Sequence, residues 1–329
     1  MRNARRAGRM ITGGVFLAAS FLTGCAAGAP SDDAEGSETP PWADDALPPG
    51  IEAVSVLGDT LRTAPIAADA RAAMEEDLAA ARADYETEPT ADAIIWLGRR
   101  TAYLGRYREA IDIYTEGIER FPDDARMYRH RGHRYLSTRR FERAISDFER
   151  AASLVEGRPD EVEPDGQPNA RGIPTSTLQS NIFYHLGLAR YVSGDFEGAL
   201  EAYRECMEVS NNPDMLVATS HWLYMTLRRL ERDEEAAGVL EPITADLDVI
   251  ENDSYHQLLL MYRGELEPAA LWGEGDALGN ATVGYGIGNW HLYNGRPDEA
   301  VAAFERVLET GQWASFGSIA AESDLARLR

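Results

Sequence analysis

The chain has 329 residues and a formal charge of −23, from 32 basic and 55 acidic residues, and every basic residue is Arg. The first 24 residues hold four of those arginines and no acid, so the remainder stands at −27, which weighs against nucleic acid and anionic lipid surfaces as general partners. Two cysteines, Cys25 and Cys206, are too few for a disulfide framework or a cysteine-based zinc site.

The amino end reads as an address. Arg2, Arg5, Arg6 and Arg9 precede an apolar run, Met10 to Leu22, which is too short to span a bilayer and fits the apolar region of a secretory signal. The run ends Leu22-Thr23-Gly24-Cys25, which resembles the lipobox of bacterial lipoproteins. That resemblance implies a signal peptide over 1–24, lipidation of Cys25 and a membrane-anchored protein of the cell envelope. With Ala26 following, the family's sorting tendency points to the periplasmic side of the outer membrane where a cell has two membranes. Residues 25–50 are rich in Ala, Gly, Pro, Ser, Asp and Glu and read as a disordered tether. Residues 51–90 are expected to form a helical cap: a short helix at Ile51–Leu61 and a longer one at Pro65–Glu86, stopped by Pro89.

From Ile94 to Ala151 the sequence repeats at an offset of 34 residues: Gly98 recurs as Gly132, Tyr107 as Phe141, Ala110 as Ala144, and Tyr114 as Phe148. A fixed period of this size signals stacked units. Each unit reads as two helices, Ala93–Leu104 and Tyr107–Arg120 in the first, separated by Gly105 and closed by Pro122-Asp123-Asp124. The small residues fall where two backbones must approach closely.

Leu97, Gly98, Gly105, Tyr107, Ala110, Tyr114 and Pro122 resemble the tetratricopeptide repeat. The second unit supplies Gly132, Phe141, Ala144, Phe148 and Ala151, but has Arg139 where the family turns on Gly and Glu156 where it ends on Pro. The resemblance implies an all-α fold, a right-handed superhelix of helical hairpins (an α-solenoid), and binding of a protein or peptide partner. Units 1 and 2 occupy 91–157. An irregular Pro- and Gly-rich insert follows at 158–179. Units 3–6 occupy 180–312, with units 4 and 5 degenerate, the third marked by Gly187, Gly194, Ala199 and Tyr203, the sixth by Gly288, Gly295, Ala300 and Phe304. Cys206 takes a small-residue position and reads as a buried thiol. Residues 313–329 are expected to form a helix capping the open end of the array.

Little in the sequence points to catalysis. His130 and His133 share a helix face, but no acidic partner lies one turn away, so no metal site is expected. Gly284-Tyr285-Gly286-Ile287-Gly288 looks like a phosphate loop without the preceding strand that such a loop requires. No nucleophile motif occurs, and no cofactor or catalytic residue is assigned. The informative feature is basic: Arg126 to Arg150 holds eight Arg and three acids. In tetratricopeptide arrays the first helices line a concave inner surface. By that register unit 1 offers Arg99 and Tyr103; unit 2 Arg126, Arg129 and His133; unit 3 Asn181, Tyr184 and Tyr191; unit 4 His221 and Arg228; and unit 6 Tyr285, Asn289 and Tyr293. Such a groove suits a protein or peptide with a localised negative group, such as a peptide C-terminus. The alternative is a solute-binding lipoprotein, taking a saccharide for example, with 158–177 as a lid. An enzyme comes third.

Overall fold

The computed structural model describes residues 47–273 and 277–329. Residues 1–46, with the signal-like segment, Cys25 and most of the tether, lie outside the described residues, so the readings made there stay as expectations.

Residues Ile51–Leu61 are not a helix. β1 (Ile51–Val54) pairs antiparallel with β2 (Thr60–Arg62) in a two-stranded hairpin. Ile51 and Ala53 are buried while Glu52 and Val54 are half-buried, a period of two that a strand makes and a helix does not. Gly58, at φ +95°, turns the chain, and Ser55 Oγ accepts from the Leu57 and Asp59 amides. α1 (Ala68–Thr87) follows.

Six helix pairs then stack in order: α2 (Ala91–Tyr103) with α3 (Tyr107–Arg120), α4 (Ala125–Ser137) with α5 (Phe141–Val155), α6 (Leu178–Ser193) with α7 (Phe196–Val209), α8 (Pro213–Arg229) with α9 (Asp233–Val239), α10 (Asp253–Tyr262) with α11 (Pro268–Leu271), and α12 (Ala277–Tyr293) with α13 (Pro297–Glu309). The same close contact recurs in four of them. A side chain on Gly98 would overlap the ring of Tyr114, and Gly132 meets Phe148, Gly187 meets Tyr203, and Gly288 meets Phe304 in the same way. The small residue lets the second helix press its aromatic ring onto the first helix's backbone, and those four rings are 0–1% exposed. In the degenerate units the second helix shrinks. α9 has 7 residues and α11 has 4, with Pro268 at its first turn, where a missing N–H costs nothing.

The last helix, α14 (Phe316–Leu328), does not cap an end. It returns along the inner side of the array and packs on α6, α12 and α13. Gly317 to Leu325 are buried without interruption, so the helix is enclosed on every side. Two of its acids reach arginines on the surrounding wall. Glu322 Oε2 lies 2.7 Å from Arg139 Nη2, both side chains at most 4% exposed. Asp324, fully buried, pairs with Arg229 at 3.0 Å and Arg327 at 2.8 Å and accepts from the Tyr285 hydroxyl at 2.9 Å. An unpaired carboxylate at such depth would be prohibitive, so the arginines fix the helix's register.

Candidate functional site

The first helices do form an inner wall, but most of that wall is covered by the chain itself. The insert covers the part nearest the amino end. Its carbonyls at Pro164 and Gly166 accept from Arg99 and Arg100 at 2.7 and 3.1 Å, and Gly166 sits on the Tyr103 hydroxyl. Glu163 reaches in to Arg129 Nε at 2.9 Å, with both side chains 9% exposed. Asn181 donates to Glu163 and Ser176. On its far side, Arg171 makes a paired contact with Asp248, and Asn169 and Thr175 donate to Glu251. The insert is therefore a strap fastened at both ends. Four of the expected groove residues, Arg99, Tyr103, Arg129 and Asn181, are spent in holding it.

α14 covers a second stretch. Tyr191, Tyr285 and Asn289 are 0–1% exposed beneath it. The Tyr285 hydroxyl donates to Asp324 and is hydrogen-bonded to the Tyr191 hydroxyl at 3.0 Å, and Asn289 Oδ1 accepts from Arg229. His221, also fully buried, is stacked between Tyr255 and Tyr262. These four are core residues of the closed array rather than groove contacts. Arg126 lies elsewhere, bridging Asp92 and Asp124 at 2.6 Å each beside the loop that joins α3 to α4. Arg228 stacks on Tyr293 at 4.4 Å and pairs with Asp233.

What remains open is a chamber of about 590 Å³ between the strap, α4, the amino end of α10, the start of α12 and the amino end of α14. Its walls include Tyr107, His133, Arg134, Gln167, Tyr255 and Phe316. Arg134 stacks on the Tyr107 ring at 5.0 Å and has no ion-pair partner among the described residues. His133 lies 4.5 Å from His185 and 5.5 Å from Phe316, centroid to centroid, and Tyr184 stands behind Phe316. Burial holds His133 well below the ordinary histidine range, helped by the Arg134 charge, and pushes His185 down to about 3. The chamber thus sets one guanidinium without an ion-pair partner among neutral imidazoles, aromatic rings and amides, with one carboxylate, Glu251, whose oxygens accept from Asn169 and Thr175. Among the described residues no group of three or more His, Cys, Asp or Glu is placed to hold a metal ion. Cys206 is buried, with its thiol on Ser180 O and Thr219 Oγ1, and burial pushes it up to about 11, far from a reactive thiolate.

Of the groove residues expected from sequence, His133 lines this chamber and Tyr184 stands behind Phe316, while Arg134, Tyr255 and Phe316 itself were not among those expected. The last two arrive at the chamber from elements that only the closed array brings together.

Helix pairs, each closed by a small residue against an aromatic ring and stacked in series, define an α-solenoid. Residues 96–160 match the tetratricopeptide repeat family. It is 28% identical over 129 residues to small glutamine-rich tetratricopeptide repeat-containing protein 2 of Saccharomyces cerevisiae; this covers 39% of this chain and 31% of the yeast protein. The chain thus matches about a third of the length of that curated relative. Among solved structures, YrrB, a tetratricopeptide protein with an unusual peptide-binding site, aligns with a TM-score of 0.41 at 15% identity over 70% of this chain and 92% of its own. A tetratricopeptide repeat protein from Parabacteroides merdae aligns with 0.45 at 14% identity over 73% and 88%. Tetratricopeptide folds bind protein or peptide partners, and their members are typically non-enzymatic scaffolds.

Proposed function

We propose that this protein is a lipid-anchored scaffold that holds a protein or peptide partner at the membrane through the inner chamber and carries out no chemistry of its own. The observation that carries the reading is Arg134. It is a cation without a carboxylate, in a chain with 55 acidic residues, held on Tyr107 at the wall of a cavity large enough for several side chains. A carboxylate of the partner, at a peptide C-terminus or on an acidic side chain, completes the guanidinium fork, while Tyr107, Tyr255 and Phe316 supply rigid contact area. Anchoring rests on the lipobox-like Leu22-Thr23-Gly24-Cys25 and places the body in the cell envelope, on the periplasmic side of the outer membrane in a cell with two membranes.

Two experiments test the two halves separately. Cross-linking in native membranes followed by mass spectrometry should identify partners with the wild type that Arg134→Glu loses, while Arg126→Glu, altered outside the chamber, keeps them. If Arg134→Glu retains every partner, the chamber is not the binding site. Incorporation of a clickable palmitate analogue should vanish in Cys25→Ser, and labelling independent of Cys25 would remove the anchor.

A further inference from the structure

The strap lies on the inner wall without burying an apolar side chain. Of residues 158–176 only Gly166 is buried, and the two large apolar side chains, Val162 and Ile173, are 61% and 45% exposed. Apolar burial, the main term that fixes a segment to a fold, therefore contributes little here. The far fastening, Arg171 on Asp248 with Asn169 and Thr175 on Glu251, is made of exposed polar pairs, which hold weakly in water. A segment held this way opens more readily than the packed helices beneath it.

The wall beneath is cationic and already set in place. Arg99 lies over the Trp96 ring at 4.6 Å, and Arg100 lies over it at 5.2 Å with its charge paired to Asp77 at 3.0 Å. His130 Nδ1 accepts from Arg129 Nη1 at 3.1 Å and so orients that guanidinium; burial and the nearby arginines keep the ring neutral. What these arginines meet on the strap is what any extended peptide offers: the Pro164 and Gly166 carbonyls and one carboxylate, Glu163. The charged contact is imperfect. Glu163 Oε2 stands 2.9 Å from Arg129 Nε, yet that buried N–H is out of line and makes no hydrogen bond among the described residues. His130 Nε2 stops 3.9 Å from the other carboxylate oxygen. Among the described residues Arg129 has no second carboxylate within ion-pair distance, and Arg99 has none at all.

We propose that residues 160–168 are an internal ligand. They occupy a binding surface made by Arg99, Arg100, Arg129 and Asn181, and an extended, acidic, proline-containing segment of a partner protein displaces them. The strap itself states the chemistry of that partner. Glu163 supplies the carboxylate, and the proline after it holds Glu163 extended and removes one backbone donor, which leaves carbonyls to face the arginines. A partner gains over the strap by bringing its carboxylate into line with Arg129 Nε, since charge-assisted hydrogen bonds are the strong ones. The strap competes from within the chain at an effective concentration on the order of millimolar, so weak binders are refused. This surface uses neither Arg134 nor the rings of the inner chamber, and it stands whether or not that chamber binds.

The test uses the full chain in detergent and a fluorescent peptide with the sequence of residues 160–168, Asp-Glu-Val-Glu-Pro-Asp-Gly-Gln-Pro, read by anisotropy at constant ionic strength. Glu163→Gln weakens the internal copy and leaves the wall intact, so it should bind the peptide roughly tenfold or more tightly than the wild type does. Adding Arg129→Gln to that variant should abolish the gain, whereas adding Arg126→Gln, which lies outside the surface, should keep it. A peptide with Gln in place of the Glu before its first Pro should bind Glu163→Gln roughly tenfold more weakly. Hydrogen exchange on the wild type needs no variant. Saturating peptide should speed exchange at the Glu163 and Leu178 amides, which bond to Ser176 and Glu161 in the closed strap, while α2 and α4 stay protected. Equal affinity in the wild type and Glu163→Gln, equal affinity for the charged and neutral peptides, or strap exchange unmoved by saturating peptide overturns the internal ligand.

Discussion

Two residues carry backbone strain that their neighbours in other units avoid. Where Gly105 and Gly295 turn from first helix to second at φ +73°, Arg139 and Glu231 sit at φ +63° and +59°. A side chain in the left-handed region costs about 1–2 kcal/mol, partly offset by the smaller unfolded-state entropy it has relative to Gly. Glu231 is exposed and its side chain has no hydrogen bond or ion pair among the described residues, so Glu231→Gly is expected to raise unfolding stability by about 0.5–1 kcal/mol. Arg139 is different, because its side chain is the partner of buried Glu322. Arg139→Gly relieves the same strain yet strands a carboxylate, and the expected net is a loss of about 2–4 kcal/mol by urea denaturation. Opposite signs for one substitution at equivalent turns would be hard to obtain if Arg139 were only a turn residue. The buried imidazoles set a pH limit. His185 and His221 are held down to about 3, mainly by burial, against an ordinary value near 6.5. Below pH ~6.5 the unfolded chain takes up protons that the folded chain refuses, so stability falls as pH drops from ~6.5 toward 3, on the order of 2 kcal/mol per histidine between pH 7 and 5. His221→Phe should flatten that slope by about one proton in denaturation curves measured at both pH values.

At the scale of elements, what could be read from sequence depended on how far along the chain the partners lie. Gly98 and Tyr114 belong to consecutive helices, and so do the equivalent pairs in units 2, 3 and 6. Their contact is local and leaves a period in the sequence. Units 4 and 5 blur because α9 and α11 are too short to carry the second half of the pattern. The hairpin at Ile51–Arg62 reads as a helix from sequence because four strand residues give too little periodicity to separate strand from helix. The contacts of α14 span too much of the chain to leave a period: Glu322 meets Arg139 across 183 positions and Asp324 meets Arg229 across 95. The candidate groove suffered for the same reason. The register placed its residues correctly on first helices, yet it could not show that two other segments already lie on them. One clue was visible, the Arg that stands where the repeat turns on Gly, a local rule broken for a distant contact. The intimacy of α14 is itself testable. A Cβ on Gly317 would overlap the carbonyl oxygen of Ala281, a backbone atom that cannot swing aside. Gly317→Ala should therefore cost about 1–3 kcal/mol, although alanine is the better helix former by about 1 kcal/mol. A neutral or stabilised protein would show that α14 sits loosely.

At the scale of the whole body, the two ends of the described chain are tied together. The Val56 amide donates to Glu322 Oε1 at 2.6 Å, and the Trp313 indole N–H donates to the Arg62 carbonyl at 2.7 Å. Trp313 also packs edge-on against Tyr107 at 5.5 Å and lies beneath the Arg139 guanidinium. An ordinary solenoid is stabilised by neighbour on neighbour and opens from its ends. Here the first hairpin and the last helix share one buried carboxylate, so the ends should open together. Glu322→Gln removes the charge that Arg139 and the Val56 amide share while leaving the shape nearly intact. Hydrogen exchange read by mass spectrometry should then speed up at residues 51–62 as well as along α14, while the α2–α3 contact around Gly98 and Tyr114 keeps its protection. Exchange confined to α14, with the hairpin unchanged some 260 residues away, would mean that the ends are merely adjacent and that the array behaves as an open stack.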